Sequence, residues 1–115
     1  EEVIIHGGYQ TRDFIYIANI VESVIASLSV LKEKVIFENI NVLTGVSTSI
    51  DELFKILSHH LDYNISPKYT DLLLGDPIES GGTIEKLQSI LMLDPNAFKT
   101  LKEGLLRTIK SIDGN

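Results

Sequence analysis

The most informative segment of the sequence lies near the start of the chain, at residues 8–17, and reads Gly8-Tyr9-Gln10-Thr11-Arg12-Asp13-Phe14-Ile15-Tyr16-Ile17. Its second half, residues 13–17, combines aromatic and β-branched side chains, which favour an extended backbone. An apolar run at Val3–Ile5 precedes it and predicts a short strand before Gly7-Gly8. We therefore expect an extended beginning, followed by a helix that Asn19 caps.

Four helices are predicted from apolar residues that recur at three- and four-residue spacing. The first follows Asn19, and its apolar face consists of Ile20, Val21, Val24, Ile25, Leu28 and Leu31. The second begins near Ser49 and the fourth near Thr100, each with the capping-box spacing that places a glutamate three residues later. The third covers residues 84–91. These apolar stripes indicate either core or an interface.

Extended segments between the helices complete an α/β pattern. Residues 35–42 give the best strand prediction, and their apolar start indicates burial on both faces before a turn at Gly45. A weaker strand, interrupted by proline, is predicted at residues 65–69, and residues 72–82 are predicted as loop. The expected fold is a small open sheet of two to four short strands with about four helices. Such a thin sheet has exposed edges, which usually need partners.

Composition and charge limit the classes of function. The 115 residues, 43% hydrophobic and 23% charged, are typical of one globular domain. A net charge of −6 argues against nucleic acid or an anionic membrane as partner, and no apolar run is long enough for a membrane span. The absence of cysteine excludes disulfides and zinc–thiolate sites and fits the cytoplasm, where we expect the protein. His59 and His60 are adjacent on a predicted helix and point apart, so we expect no metal site.

Residues 8–17 resemble the "G-x-Q-x-R-D-F-x-Y-V" segment of NAD-dependent nucleotide-sugar epimerases and dehydratases. These enzymes are the extended short-chain dehydrogenase/reductase family, and the likeness is to its UDP-glucose 4-epimerase-like members. Further matches follow in the family's order: residues 41–45 resemble "y-N-v-g-t-G", residues 48–53 resemble "t-s-i-x-e-L", and Gly75-Asp76 resembles the end of "R-p-G-D". Residues 83–93 resemble "D-i-s-k-a-x-x-x-L-G", and residues 100–109 resemble "s-l-e-e-G-L-x-x-t-i".

The resemblance implies a single C-terminal substrate-binding segment over residues 1–115, a fragment of the family's fold without its NAD-binding Rossmann part. In such enzymes this region closes over the nucleoside diphosphate of the sugar. The family's roles assign Arg12 to the diphosphate and Asp76 to the ribose, with Gln10 and Asn41 in the same substrate site. A planar guanidinium suits phosphate oxygens, and a carboxylate suits ribose hydroxyls.

Structural alternatives stand beside these roles. Arg12 is otherwise a surface arginine paired with Asp13 or a helix carboxylate, Asp76 a turn residue before a proline, and Asn41 the end of a strand. The chain also departs from the family, because Leu73 stands at the position of a second phosphate-binding arginine. Thr83 and Leu93 replace a family aspartate and glycine. The site is then weakened, uses another cation such as Lys68, or binds something else.

The family's catalytic elements are absent from the sequence. Gly7-Gly8 and Gly81-Gly82 do not form its Gly-rich nucleotide loop, and none of the four tyrosines is followed by lysine four positions later. We expect no catalytic residue and no cofactor in this chain, with NAD and the missing N-terminal Rossmann domain belonging to the complete enzyme. The alternative hypothesis is a non-catalytic association module that pairs with itself as a homodimer or binds a partner protein.

Overall fold

The computed structural model describes residues 2–62 and 64–114, which contain four α-helices and five short β-strands. In chain order these are β1 (Ile4–His6), β2 (Thr11–Arg12), α1 (Ile17–Glu33), β3 (Thr48–Ser49), α2 (Ile50–His60), β4 (Lys68–Thr70), β5 (Glu79–Ser80), α3 (Glu85–Leu91) and α4 (Leu101–Ile112). A 3-10 turn, Pro95–Ala97, lies between the last two helices. The predicted α/β class, with small sheets and four helices, is confirmed.

The chain forms two compact units. The first comprises the residues up to Asp13 together with Ser47–Ser80, and the second comprises Phe14–Val46 and the residues from Gly81 onward. All five strands and α2 fall in the first unit, and α1, α3 and α4 fall in the second. The linear order of the sequence therefore does not match the order of the units, because the chain leaves the first unit at Asp13 and returns to it at Ser47.

Two small sheets organise the first unit. Strand β1 pairs in parallel with β4, and its edge is extended by a bond of 2.9 Å from the Gly7 amide to the Thr70 carbonyl. The central strand of the other sheet is β2, which is antiparallel to β3 and parallel to β5. Helix α2 follows β3 directly, since the Ser49 hydroxyl accepts the Glu52 amide at 3.1 Å and caps the helix.

The second unit is built around a small apolar core. Leu87 is fully buried, and Leu91 and Phe98 pack with it. Partly buried residues surround this cluster: Ile15, Ala26, Val30, Ile40, Val42, Ile90 and Leu93. Helix α4 begins at a complete capping box, in which Thr100 and Glu103 exchange side chain-to-backbone bonds, as the sequence predicts.

Helix α1 turns its apolar stripe outward. The side toward the core of the second unit carries Val30 and otherwise small or polar residues, of which Asn19 and Ser23 are buried. The large apolar residues on the other side are between 51% and 64% exposed: Ile17, Val21, Val24, Ile25, Leu28 and Leu31. Of the two interpretations of this stripe, core and interface, the structure favours an interface.

The strand predicted at residues 35–42 is wrong. Among the described residues the segment belongs to no strand, and none of its backbone amides or carbonyls bonds to a strand. The segment nevertheless lies against α1 and α3, since Ile36, Phe37, Glu38 and Ile40 all line a cavity of about 170 Å³ there. Val35 and Phe37 are almost fully exposed. A neighbouring strand that could pair with this segment is not among the described residues.

Three smaller predictions are also corrected. Tyr16, not Asn19, is the N-cap of α1, and Asn19 is instead buried, where its Oδ1 accepts the Lys99 amide at 3.1 Å. Residues 13–16 form no strand, and Ile17 already belongs to the helix. The predicted loop at residues 72–82 contains β5. The strands predicted at residues 3–5 and 65–69 exist at slightly shifted positions, as β1 and β4.

Candidate functional site

The pairing of β2 with β5 brings Arg12 close to the turn that carries Asp76. Arg12 lies opposite Ser80 in the parallel register, and the Thr11 amide donates to the Ile78 carbonyl at 2.9 Å. The turn itself is closed by the Asp76 amide, which donates to the Leu73 carbonyl at 3.0 Å. Gly75 adopts a φ of +87° at this turn, a conformation that favours glycine.

Arg12 and Asp76 form an ion pair. Arg12 Nη2 donates to Asp76 Oδ1 at 2.6 Å, and Arg12 Nη1 donates to the Thr11 carbonyl at 2.7 Å. The two side chains are 23% and 34% exposed, so the pair is accessible from solvent on one side. Two bonds from different nitrogens fix the plane of the guanidinium. The alternatives for Arg12 named Asp13 or a helix carboxylate as its partner, and the structure shows an ion pair with Asp76.

Gln10 holds the loop before β2 in place. Its side chain is buried, with Oε1 accepting the Gly8 amide and Nε2 donating to the His6 carbonyl, both at 2.7 Å. Its backbone carbonyl accepts the Ile50 amide at the start of α2. Both ends of the side-chain amide are therefore engaged by the protein, and Gln10 supports the segment that carries Arg12.

A tight contact between Gly8 and Asp51 is the feature that sequence reasoning missed. Gly8 is buried with a φ of +98°, and a Cβ at this position would overlap the Asp51 carboxylate. The Asp51 amide donates to the Gly8 carbonyl at 2.9 Å. Asp51 belongs to the first turn of α2, where a carboxylate is favoured by the helix dipole. No sequence spacing links the two residues, so only the positive φ expected of glycine at a turn hints at the contact.

The same carboxylate affects Tyr69 on β4. A hydrogen bond from the phenol to Asp51 is the largest cause that raises the pKa of Tyr69 above its ordinary value of 10.0. Desolvation and the negative charge of Asp51 act in the same direction. Asp51 Oδ1 is buried without a hydrogen-bond partner. Asp51 thus connects α2, the Gly8 loop and β4 within the first unit.

Asn41 lies in the second unit, whereas Arg12, Asp76 and Gln10 lie in the first. Its side chain packs near Gly82, where a Cβ would lie 3.0 Å from Asn41 Nδ2. The structure thus brings together Arg12 and Asp76. It places Gln10 in the loop before β2 and Asn41 in the second unit. The substrate-site role of all four residues remains a prediction.

The two other positions singled out near this site behave differently. Leu73 is 57% exposed on the Asp76 turn, so a longer polar side chain has room there. Lys68, the alternative cation, lies on β4 in the other sheet, and its Nζ is 3.9 Å from a Glu2 carboxylate oxygen. Both groups of that contact are exposed, so we expect it to contribute little to stability.

Within residues 2–62 and 64–114, no group of three or more His, Cys, Asp or Glu side chains is arranged to hold a metal ion. The rings of His59 and His60 lie 5.8 Å apart and are tilted by 53°. None of the four helices has the length and apolar character that crossing a bilayer requires.

The geometry of the chain matches one class of known structures. No protein-family model matches the sequence. The UDP-glucose 4-epimerase of Thermotoga maritima, solved with UDP-glucose, superposes with a TM-score of 0.87 and 30% identity over 99% of this chain and 35% of that one. The UDP-glucuronic acid 4-epimerase of Bacillus cereus, solved with UDP-glucuronic acid and NAD, gives 0.84 and 26% over 97% of this chain and 35% of that one. The fold is that of the C-terminal part of NAD-dependent epimerases and dehydratases.

A sequence relative narrows this class. The "Putative UDP-glucose 4-epimerase" of Methanocaldococcus jannaschii is 32% identical over 113 residues, which is 98% of this chain and 34% of that protein. The chain is thus a homologue of UDP-glucose 4-epimerase-like proteins. It spans about a third of the length of the relatives that it matches.

Proposed function

We propose that this chain is the C-terminal, nucleotide-sugar-binding part of an NAD-dependent epimerase or dehydratase, and that it does not catalyse the reaction by itself. The observation that supports this most is the Arg12 guanidinium, which two hydrogen bonds hold on β2 while part of it faces solvent. A fixed, partly exposed guanidinium is well suited to charge-assisted bonds with a diphosphate. Relatives of this fold were solved with UDP-glucose and with UDP-glucuronic acid and NAD.

The direct test is the binding of UDP-glucose to the chain and to Arg12→Ala, measured by NMR titration. Loss of a charge-assisted contact should weaken the affinity by about tenfold or more. Arg107→Ala is the matched control, because it removes the same charge from an exposed position on α4 in the other unit. Equal affinity of the native chain and Arg12→Ala would overturn the assignment of Arg12.

A gain-of-affinity variant tests the same site from the opposite direction. The family resemblance places a second phosphate-binding arginine at Leu73, so Leu73→Arg should strengthen UDP-glucose binding by about tenfold. Leu74→Arg is a close control, because the neighbouring residue is fully exposed and the change in charge is the same. If both variants strengthen binding equally, the effect is general charge attraction and the placement of a site at this turn is wrong.

The non-catalytic part of the proposal concerns a partner. The outward stripe of α1 forms an exposed apolar surface together with Val35 and Phe37. Stable monomeric domains rarely leave a surface of this kind open to solvent. In α/β folds, helices with an apolar stripe pack on the faces of a parallel sheet. We assign this surface to the NAD-binding domain of the complete enzyme, which would supply the cofactor and the reacting groups.

Binding of that domain can be tested with two separate chains. The part of the Methanocaldococcus jannaschii relative that lies outside the matched third serves as the partner. Leu28→Asp should abolish a complex seen by size-exclusion chromatography, because it places a charge in the middle of the stripe. Ser29→Asp adds the same charge on an exposed position beside the stripe and should leave the complex intact.

A second candidate function, self-association, is favoured by one specific observation. Ile17, Val21, Val24, Leu28 and Leu31 recur with alternating spacings of four and three residues, which is the pattern of a coiled-coil seam. Two copies of the chain could cover each other along this stripe. Light scattering separates the candidates, because this hypothesis requires a dimer of the isolated chain that Leu28→Asp disrupts and Ser29→Asp does not.

A further inference from the structure

The cavity of about 170 Å³ in the second unit lies between α1, residues 35–42 and α3. Most of its wall is aliphatic, with Ile40 from the extended segment and Ile90 from α3 among the lining residues. Ser27 is the polar side chain that α1 contributes, and its hydroxyl donates to carbonyls of its own helix at 2.9 Å. Because this hydroxyl is already engaged, the wall favours an apolar occupant over water.

The cavity is continuous with the apolar surface that is assigned above to the NAD-binding domain. Leu31 and Phe37 belong to that surface, where they are 52% and 98% exposed, and both also line the cavity. An occupant can therefore enter from the side on which the partner is expected. A side chain of the covering domain would reach the cavity without any rearrangement of the fully buried Leu87.

The size and the edge of the cavity define the chemistry of that side chain. An apolar cavity of about 150 Å³ is large enough to hold one benzene ring. One charged group lies at the edge, because Glu38 lines the cavity while its Oε2 accepts from Lys86 Nζ at 2.7 Å. A carboxylate can accept further hydrogen bonds. A ring that carries a hydroxyl therefore satisfies both the apolar wall and this edge.

We propose that the cavity receives one tyrosine side chain from the domain that covers the α1 stripe. The inference rests on the proposed function, in which this surface faces the NAD-binding domain, and it adds the residue type that the domain must present. The ring packs against the aliphatic wall, and its hydroxyl donates to Glu38. Aromatic side chains that enter pockets of this kind carry a large share of the binding energy of an interface.

The first test uses p-cresol, which is the tyrosine side chain as a free molecule, and follows the methyl resonances of Ile40 and Ile90 by NMR. Titration of the native chain should shift these resonances. Ser27→Leu places a larger apolar side chain at the cavity wall, so the affinity for p-cresol should fall by about fivefold or more. Ser29→Leu is the matched control, because Ser29 is exposed on the same helix and does not line the cavity.

Either of two results would overturn the proposal at this stage. One is a native chain whose cavity resonances do not respond to p-cresol. The other is an equal affinity of the native chain, Ser27→Leu and Ser29→Leu, which would place p-cresol elsewhere on the molecule.

The assignment of tyrosine is tested by comparing p-cresol with toluene, which lacks the hydroxyl. The native chain should bind p-cresol about threefold more tightly, because the hydroxyl donates to a carboxylate. Glu38→Ala should remove this preference, since it removes the acceptor. Equal affinities of the native chain for the two compounds would indicate a cavity for a purely apolar ring and overturn the assignment of tyrosine.

The second test asks whether a protein side chain is the occupant. Ser27→Leu should weaken the complex with the unmatched part of the Methanocaldococcus jannaschii relative by about tenfold or more, because the cavity is filled. Ser29→Leu should leave this complex intact, and p-cresol should compete with the partner. If p-cresol binds but Ser27→Leu leaves the complex unchanged, the cavity accepts small phenols only and the proposed occupant is wrong.

The failure of this inference can be told apart from the failure of the proposed function. If Leu28→Asp abolishes the complex and Ser27→Leu does not, the surface is assigned correctly and only the role of the cavity is wrong. If the native chain forms no complex, both are wrong. NMR spectra of each variant with the peak dispersion of the native chain show that the fold is kept.

Discussion

The two units of the chain are stabilised in different ways. The first unit has few buried apolar side chains. Its short strands are held together by backbone pairing, by the hydrogen bonds of the buried Gln10 side chain and by the contact of Gly8 with Asp51. The second unit has an apolar core around Leu87, yet it directs a whole apolar helix face to solvent. The comparison indicates that hydrogen bonds and turn geometry specify the first unit. The second unit has one buried apolar core and a second apolar surface that is suited to packing on another domain.

The largest change in the free energy of unfolding is expected for a substitution in the core of the second unit. Leu87→Ala should lower the free energy of unfolding by about 3 kcal/mol, because it leaves a cavity at a fully buried position. Leu28→Ala changes the same residue type on the outward face of α1 and should cost less than about 0.5 kcal/mol. Urea unfolding of dilute samples measures both. Similar costs for the two leucines would show that α1 is covered in solution.

A smaller effect is expected at Gly8 in the first unit. Gly8→Ala should destabilise the protein by about 2 kcal/mol, since it combines a positive φ with an overlap on the Asp51 carboxylate. Gly75→Ala is the control, because φ is +87° there and no atom lies within 4 Å of the added Cβ. Its cost should be about 1 kcal/mol, from backbone strain alone. Thermal unfolding of both variants separates strain from steric overlap.

The cap of α4 gives the next effect, and it depends on pH. Thr100→Ala should cost about 1 kcal/mol at neutral pH, since the capping box is lost. Backbone and side-chain hydrogen bonds from Thr100 lower the pKa of Glu103 below its ordinary value of 4.5. A lowered pKa stabilises the fold above the ordinary value, and this contribution is lost as the pH falls through the lowered pKa. The gap in stability between native chain and Thr100→Ala should therefore narrow below pH 4.5, as urea unfolding at several pH values will show.

The smallest effect concerns Tyr69. Asp51→Asn removes the charged acceptor, so the titration of Tyr69 should move back toward 10.0. Because the pKa of Tyr69 is raised in the fold, its stabilising contribution is present below pH 10.0 and is lost as the pH rises through the raised pKa. NMR of the tyrosine ring resonances follows this residue separately. An unchanged titration in Asp51→Asn would show that the phenol does not contact the carboxylate.

Sequence periodicity predicted the helices better than the strands, for physical reasons. Helices α2 and α4 have caps within four residues of their apolar stripes, so Ser49 and Thr100 mark their starts correctly. Residues 35–42 have the composition of a buried strand, but a strand needs a neighbour that the described chain does not supply. The local sequence predicts Asn19 as a cap, because its actual bond to the Lys99 amide depends on a distant segment.

The roles of the candidate site residues stay predictions. Arg12 and Asp76 were singled out by resemblance to a family, and their direct contact was not foreseen. The contact depends on the register of the two-residue strands β2 and β5, which are too short for any periodic signal. For the same reason the burial of Gln10 and the packing of Asp51 on Gly8 could not be derived from spacing.

The backbone amides of residues 35–42 can show where a partner binds to the chain. Amide protons that lack a backbone acceptor exchange with deuterium quickly, whereas those of a paired strand are protected. If a sheet docks along this segment, deuterium uptake there should slow while the ends of α4 continue to exchange as before. A deuterium-exchange experiment would thus locate the partner on the chain without labels or substitutions.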